Sequence, residues 1–141
     1  MNAMLMVGEA AAKFSTEEHI SVPFVSQPPP ESEMSDERLS TMFAFRKQLK
    51  PSQIRSSPSL HAGLGLESYT RATSPLRRYT DLMVHQQLRS YLAGSEQMPI
   101  EDLIQRVGEA EEAQRDLRRA ERSSNQHWTM VYLLRNSAWE G

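Results

Sequence analysis

Met4, Val7, Ala11 and Phe14 fall on one face at helical spacing, with Leu5 beside them, which predicts a helix over 4–14. That helix starts at the first residues of the sequence, so the chain reads as entering inside a longer element. Residues 20–30, Ile-Ser-Val-Pro-Phe-Val-Ser-Gln-Pro-Pro-Pro, form a short extended run that the three prolines close, a strand or a polyproline-like connection. Glu31, Glu33, Asp36 and Glu37 then precede Leu39, Met42, Phe43 and Phe45, the acidic front and apolar spacing of a second helix.

Residues 50–59, with Pro51, Pro58 and four serines, read as a loop. In 61–70, Leu64, Leu66 and Ser68 alternate around glycines, which predicts a short strand in close contact with another backbone. A helix is expected over 75–92, with Ser74 as N-cap, Pro75 at its first position and Gly94 just past its end. From Pro99 onward the stripe Leu103, Val107, Ala110, Gln114, Leu117, Glu121, Ser124, Trp128 and Val131 predicts one long helix with a solvated, charge-laced middle. The pattern is that of a mostly helical α+β chain with a few short strands. No internal repeat is visible.

Composition narrows the function classes. The chain has 141 residues, one domain or part of one, and only 38% of them are hydrophobic, which limits it to a modest core. It contains no cysteine, which excludes disulfides, thiolate metal sites and cysteine nucleophiles. The sequence shows neither a membrane span nor a secretory signal, so a cytoplasmic location is expected.

The 16 basic and 18 acidic residues give a net charge of -2, too little positive charge to coat nucleic acid indiscriminately. Their distribution is uneven: residues 69–95 carry 4 basic groups against 1 acidic, and 13 of the 16 cations in the chain are arginine. Arginine is the side chain that grips phosphate or carboxylate with a planar fork, although the same bias also serves helix propensity and surface ion pairs.

The candidate chemistry lies in Tyr69-Thr-Arg-Ala-Thr-Ser-Pro-Leu-Arg-Arg-Tyr-Thr-Asp-Leu-Met-Val-His85. A helix opening at Ser74-Pro75 would offer free N–H groups and a positive dipole end to an anion. Two arginines in its first turn, Arg77 and Arg78, oppose that dipole unless something anionic binds. Thr73 and Ser74 add hydroxyls, and Tyr69 and Tyr79 offer ring faces for a base or sugar. On a helical wheel Arg77, Asp81, Val84, Leu88 and Tyr91 share one arc, so Arg77 is expected on the buried face with Asp81 bracing it and His85 one turn on. An Arg77–Asp81 pair that merely joins two helices and a phosphate clamp both fit this pattern.

Thr73-Ser-Pro-Leu-Arg-Arg-Tyr-Thr-Asp81 with Val84-His85 resembles the TSPIRRYxD…vH signature of the RNB catalytic domain of RNase II/RNase R-type exoribonucleases. The resemblance extends to Met4–Ala12, similar to that family's MilaNe.vA helix, to Val22-Pro23, and to Ala120-Glu-Arg-Ser with Trp128, similar to its late AeR…W helix. It implies Mg²⁺-dependent, processive hydrolysis of single-stranded RNA from the 3′ end to nucleoside 5′-monophosphates. Arg77 or Arg78 would contact the scissile or a neighbouring phosphate. Tyr69, Thr73, Ser74, Tyr79 and Glu121 would bind RNA, with Asp81 and His85 behind them.

The chain departs from the family at several points. Asn2 or Ala3 stands where a Glu is usual, Val25-Ser26-Gln27 replaces a yRvH run, and Arg71-Ala72 replaces His-Phe. The aspartate cluster that holds the family's metals has no counterpart, since Asp36, Asp81, Asp102 and Asp116 are the only aspartates and are widely spaced. The resemblance therefore implies that 1–141 is the C-terminal part of an RNB domain. Its partner would be the remaining, metal-binding half upstream, and an S1-like RNA-binding domain would follow. A non-catalytic RNA-binding or scaffold protein derived from the same fold is the alternative. A helical protein-interaction module is a third reading, but it leaves Thr73–Tyr79 unexplained.

Overall fold

In the computed structural model, which describes residues 3–30, 38–48 and 50–136, the elements run α1 (Ala3–Glu17), β1 (Phe24–Ser26), α2 (Leu39–Gln48), β2 (Gln53–Arg55), α3 (Tyr79–Leu92) and α4 (Ile100–Asn136). The expected mix of helices and short strands is present. The acidic residues Glu31, Glu33, Asp36 and Glu37, and Asn2 at the start, lie outside the described residues.

The chain divides into two compact units, 1–107 and 108–141. In the first, β1 pairs antiparallel with β2, Val25 opposite Ile54, and on its other edge the Val25 N–H donates to the Tyr69 carbonyl at 2.8 Å while Phe24 bridges Thr70. The Thr70 hydroxyl donates to the Pro23 carbonyl at 2.7 Å, which locks that edge. β1 is thus a central strand flanked by β2 and by the segment that leads into the arginine motif.

Two apolar clusters hold this unit together. Ala12 of α1, Ile20, Val22, Phe24, Ala72 and Val84 of α3 form one, with Leu88 and Tyr91 packed on it. Met83 of α3 with Leu103 and Val107 of α4 form the other. Adjacent residues of α3, Met83 and Val84, therefore face different clusters, and Gln87, 2% exposed, lies one turn beyond Met83. Its side-chain amide donates to the Ser21 and Met98 carbonyls at 2.9 and 2.8 Å, and its Oε1 accepts the Met98 N–H at 3.0 Å. One side chain so ties the approach to β1, α3 and the loop before α4.

Gly94 ends α3 as expected: with φ +61 it takes the left-handed turn, its N–H reaches the Tyr91 carbonyl, and the Ser95 N–H reaches the Ser90 carbonyl. Three expectations differ. The segment 50–59 contains β2. Within 61–70, residues 61–66 form a tight turn and not a strand: Gly65 at φ +66 reverses the chain, so that the His61 N–H donates to the Leu66 carbonyl at 2.8 Å, and the expected close contact with another backbone is made by Tyr69 and Thr70. And α3 begins at Tyr79, not at Pro75.

The second unit is described from Gly108 to Asn136, all of it within α4, and none of these residues is buried. The predicted stripe is buried only at Leu103 and Val107. Charged and polar side chains dominate the rest, as the charge-laced reading of 109–122 expects.

Candidate phosphate-binding site

Pro75 has a fixed φ and no N–H, which suits a helix start and a turn equally well. Here it sits in a turn. The Arg77 and Arg78 N–H groups both return to the Ser74 carbonyl, at 3.2 and 3.0 Å, and Arg78 then adopts an extended backbone (φ -127, ψ 118) as the residue before α3.

The side chain of Asp81 sets this arrangement. Asp81 is fully buried in the first turn of α3, where the positive end of the helix dipole favours a carboxylate. Its Oδ2 accepts the Ser74 N–H at 2.8 Å and the Arg78 guanidinium at 2.8 Å. Charge-assisted bonds of this length outweigh a serine cap, and the chain before Tyr79 bends to make them.

Two expectations about the motif are corrected by this geometry. Asp81 pairs with Arg78 and not with Arg77, because no helix runs between 77 and 81 to bring an i, i+4 pair together. Arg77 is exposed, and among the described residues its guanidinium reaches the Ser74 hydroxyl, at 3.4 Å. Nor is Ser74 the N-cap of α3 or a donor waiting for an anion, since its N–H is already held by Asp81.

The remaining motif residues surround the turn. The Arg78 guanidinium also meets the Thr73 hydroxyl at 3.4 Å. His85, one turn along α3 from Asp81, lies 2.7 Å from the Ala72 carbonyl through Nε2. A carbonyl only accepts, so Nε2 carries the proton. α3 thus grips the incoming chain twice, at Ala72 and at Ser74. Tyr79 is 40% exposed at the first position of α3.

Tyr69 is seated against α1. A Cβ on Gly8 would lie 2.2 Å from the Tyr69 ring and 2.6 Å from the Thr70 carbonyl, so only glycine permits this approach. The His61 ring meets Tyr69 edge to face at 5.9 Å. Burial pushes His61 below the ordinary histidine range, and the positive charge of Arg71 acts in the same direction. Gly8 and His61 were not legible as neighbours of Tyr69, which lies 61 and 8 residues away from them. Glu121 lies in the second unit and is exposed.

Among the described residues no three His, Cys, Asp or Glu side chains converge where they could hold a metal ion. A magnesium ion needs several hard oxygen ligands, and Asp81 is already committed to a guanidinium and an amide, so the described residues do not fit one. No helix among them is long and apolar enough to cross a membrane.

The family model of the RNB domain matches residues 1–94. An uncharacterized ribonuclease of Synechocystis is 37% identical over 148 residues, covering 98% of this chain and 22% of that protein. Exoribonuclease 2 of Baumannia cicadellinicola is 37% identical over 86 residues, covering 60% of this chain and 13% of its own length. Among solved structures, the Dss1 exoribonuclease of Candida glabrata matches with a TM-score of 0.77 at 22% identity, over 95% of this chain and 19% of that one. RNase R of Mycoplasma genitalium, solved with ribose-methylated single-stranded RNA, matches with a TM-score of 0.52 at 20% identity, over 73% of this chain and 22% of that one. The chain spans between about an eighth and a fifth of the length of these relatives, 13% of the Baumannia protein and 22% of the Synechocystis one.

Proposed function

Because the chain belongs to the RNB domain family, we propose that it is the phosphate-binding part of a 3′-to-5′ exoribonuclease that hydrolyses single-stranded RNA processively to nucleoside 5′-monophosphates in the cytoplasm. The observation that carries this reading is the Thr73–Asp81 turn, in which Arg78 is spent on a buried carboxylate and the Thr73 hydroxyl while its neighbour Arg77 stands exposed beside the Ser74 hydroxyl.

In this reading Arg77 takes the phosphate directly. Its planar fork donates two parallel N–H bonds to phosphate oxygens and stabilises the negative charge that grows on them during hydrolysis. Arg78 keeps 28% of its side chain exposed and, paired with Asp81, shapes the turn instead of adding free charge to it. The Thr73 and Ser74 hydroxyls complete the polar rim. Tyr69 and Tyr79 offer ring faces to the bases, which tolerates any sequence because every base has a π-face. Glu121 contacts RNA from α4.

This chemistry would draw on Mg²⁺, which the described residues of this chain do not fit. In this reading the ion would be held by carboxylates of the remaining, upstream half of the RNB domain, and an S1-like domain downstream would guide the strand. With no such ligand cluster among its described residues, the chain alone is expected to release no mononucleotides.

The test is a degradation assay of the whole protein that contains this chain, with 5′-labelled RNA, in Mg²⁺ and in EDTA. Stepwise shortening from the 3′ end with monophosphate products, abolished by EDTA, is the expected result. Internal cuts, or RNA binding without hydrolysis, would overturn the reading and favour a non-catalytic RNA-binding protein.

A further inference from the structure

We propose that Asp81 is a positioning residue for both arginines: through one buried oxygen it sets the turn that presents Arg77 and neutralises Arg78, so that the free positive charge of the motif is concentrated on Arg77. The inference rests on the function proposed above and adds a residue that acts without touching RNA.

The chain of contacts is short. Asp81 Oδ2 holds the Ser74 N–H. Ser74 in turn receives the Arg77 backbone N–H on its carbonyl and the Arg77 guanidinium on its hydroxyl. Every hydrogen bond described for Arg77 therefore ends on a residue whose own amide is fixed by Asp81. On the other branch the same oxygen holds the Arg78 guanidinium, which continues to the Thr73 hydroxyl.

Electrostatics add a second reason. Two adjacent arginines before the positive end of α3 repel each other and the dipole. A fully buried carboxylate between the helix and Arg78 cancels one of them. Its other oxygen, Oδ1, is buried with no hydrogen-bond partner among the described residues, so the charge is not diluted by further donors. Had Asp81, the third residue of α3, served only to cap the helix, the backbone N–H groups of Arg78 and the first turn would be its partners. It reaches past them to the Ser74 N–H and the Arg78 guanidinium instead.

The test uses the whole protein that contains this chain, with Asp81→Asn, Arg77→Lys and the double variant. Asp81→Asn keeps the shape and an acceptor for the Ser74 N–H but removes the charge. Single-turnover RNA cleavage at saturating RNA and equilibrium RNA binding are measured at one salt concentration, below any melting seen by circular dichroism.

The expected result for Asp81→Asn is a 10- to 100-fold slower cleavage step with affinity changed less than threefold. In the double variant, Asp81→Asn should slow cleavage much less than it does in wild type, because Arg77 is the group through which it acts. An unchanged rate per folded molecule, or fully additive losses, would overturn the proposal.

Hydrogen exchange at the Ser74 amide supplies an arm independent of activity. Asp81→Ala should speed it at least 10-fold while the middle of α3 stays protected, and unchanged exchange would also overturn the proposal. A wild-type protein that leaves RNA intact would end the functional reading, and with it the arginine-positioning role, while the exchange arm would still report whether Asp81 holds the turn.

Discussion

Replacing Gln87 by leucine tests how much of the first unit hangs on one polar side chain. Leucine matches its volume closely but makes none of its three hydrogen bonds, to Ser21 and twice to Met98. Each such bond is worth about 1 kcal/mol net, and a buried group left without its partner costs about 1–3 kcal/mol. Ser21 and Met98 are half-buried, so water reaches part of what leucine abandons. A loss of about 2–4 kcal/mol is therefore expected, a large share of the ~5–15 kcal/mol that holds a typical domain. Urea unfolding of the chain followed by circular dichroism measures it, with Gln86→Leu as the exposed neighbour and control, expected within about 0.5 kcal/mol of wild type. A Gln87→Leu loss below about 1 kcal/mol would show that the three bonds are readily replaced by solvent and would refute the reasoning.

Arg78→Ala leaves the buried Asp81 carboxylate with the Ser74 N–H as its remaining partner, and about 2–3 kcal/mol of stability should be lost, less than the ~3–5 kcal/mol of a fully buried pair because Arg78 is 28% exposed. Arg77→Ala, on an exposed side chain, should change stability by less than about 0.5 kcal/mol in the same denaturant titration. In the whole protein Arg77→Lys should slow single-turnover cleavage roughly 100- to 1000-fold, the size of losing one transition-state donor, with RNA affinity much less affected. Burial disfavours the charged form of His61, so the unfolded chain takes up a proton more readily than the folded one. Its contribution is complete above the ordinary histidine value of 6.5 and is lost as pH falls from there through the lower folded value. His61→Gln should flatten the acid side of the stability profile, and a profile identical to wild type would remove His61 as its cause.

Hydrophobic spacing located α1, α3 and α4, and the Gly94 stop followed from residue chemistry alone. β2 was hidden because Gln53–Arg55 exposes two of its three residues and carries no apolar alternation. The strand expected over 61–70 failed on Gly65, whose positive φ makes a turn that the apolar alternation does not report. At the site, the motif itself was legible, but the pairing within it was not. Helical phase pointed from Arg77 to Asp81, and that phase has no meaning across a turn that a buried carboxylate pulls out of the helix. Gln87 was missed for a related reason: a glutamine in an amphipathic helix reads as a solvent-facing residue until the backbone groups around it are known.

The absence of any buried residue between Gly108 and Asn136 has a calorimetric consequence. The heat-capacity step on unfolding comes from apolar surface newly exposed to water, and this stretch of α4 has little left to expose. Its helicity rests on backbone hydrogen bonds and on side-chain bonds to carbonyls one turn back, such as Thr129 to Asn125 and Asn136 to Tyr132, which fade gradually with temperature. On heating the chain, the far-ultraviolet signal should therefore slope away before and through a single endotherm whose heat-capacity step belongs to residues up to Val107. The optical and calorimetric curves should not superimpose.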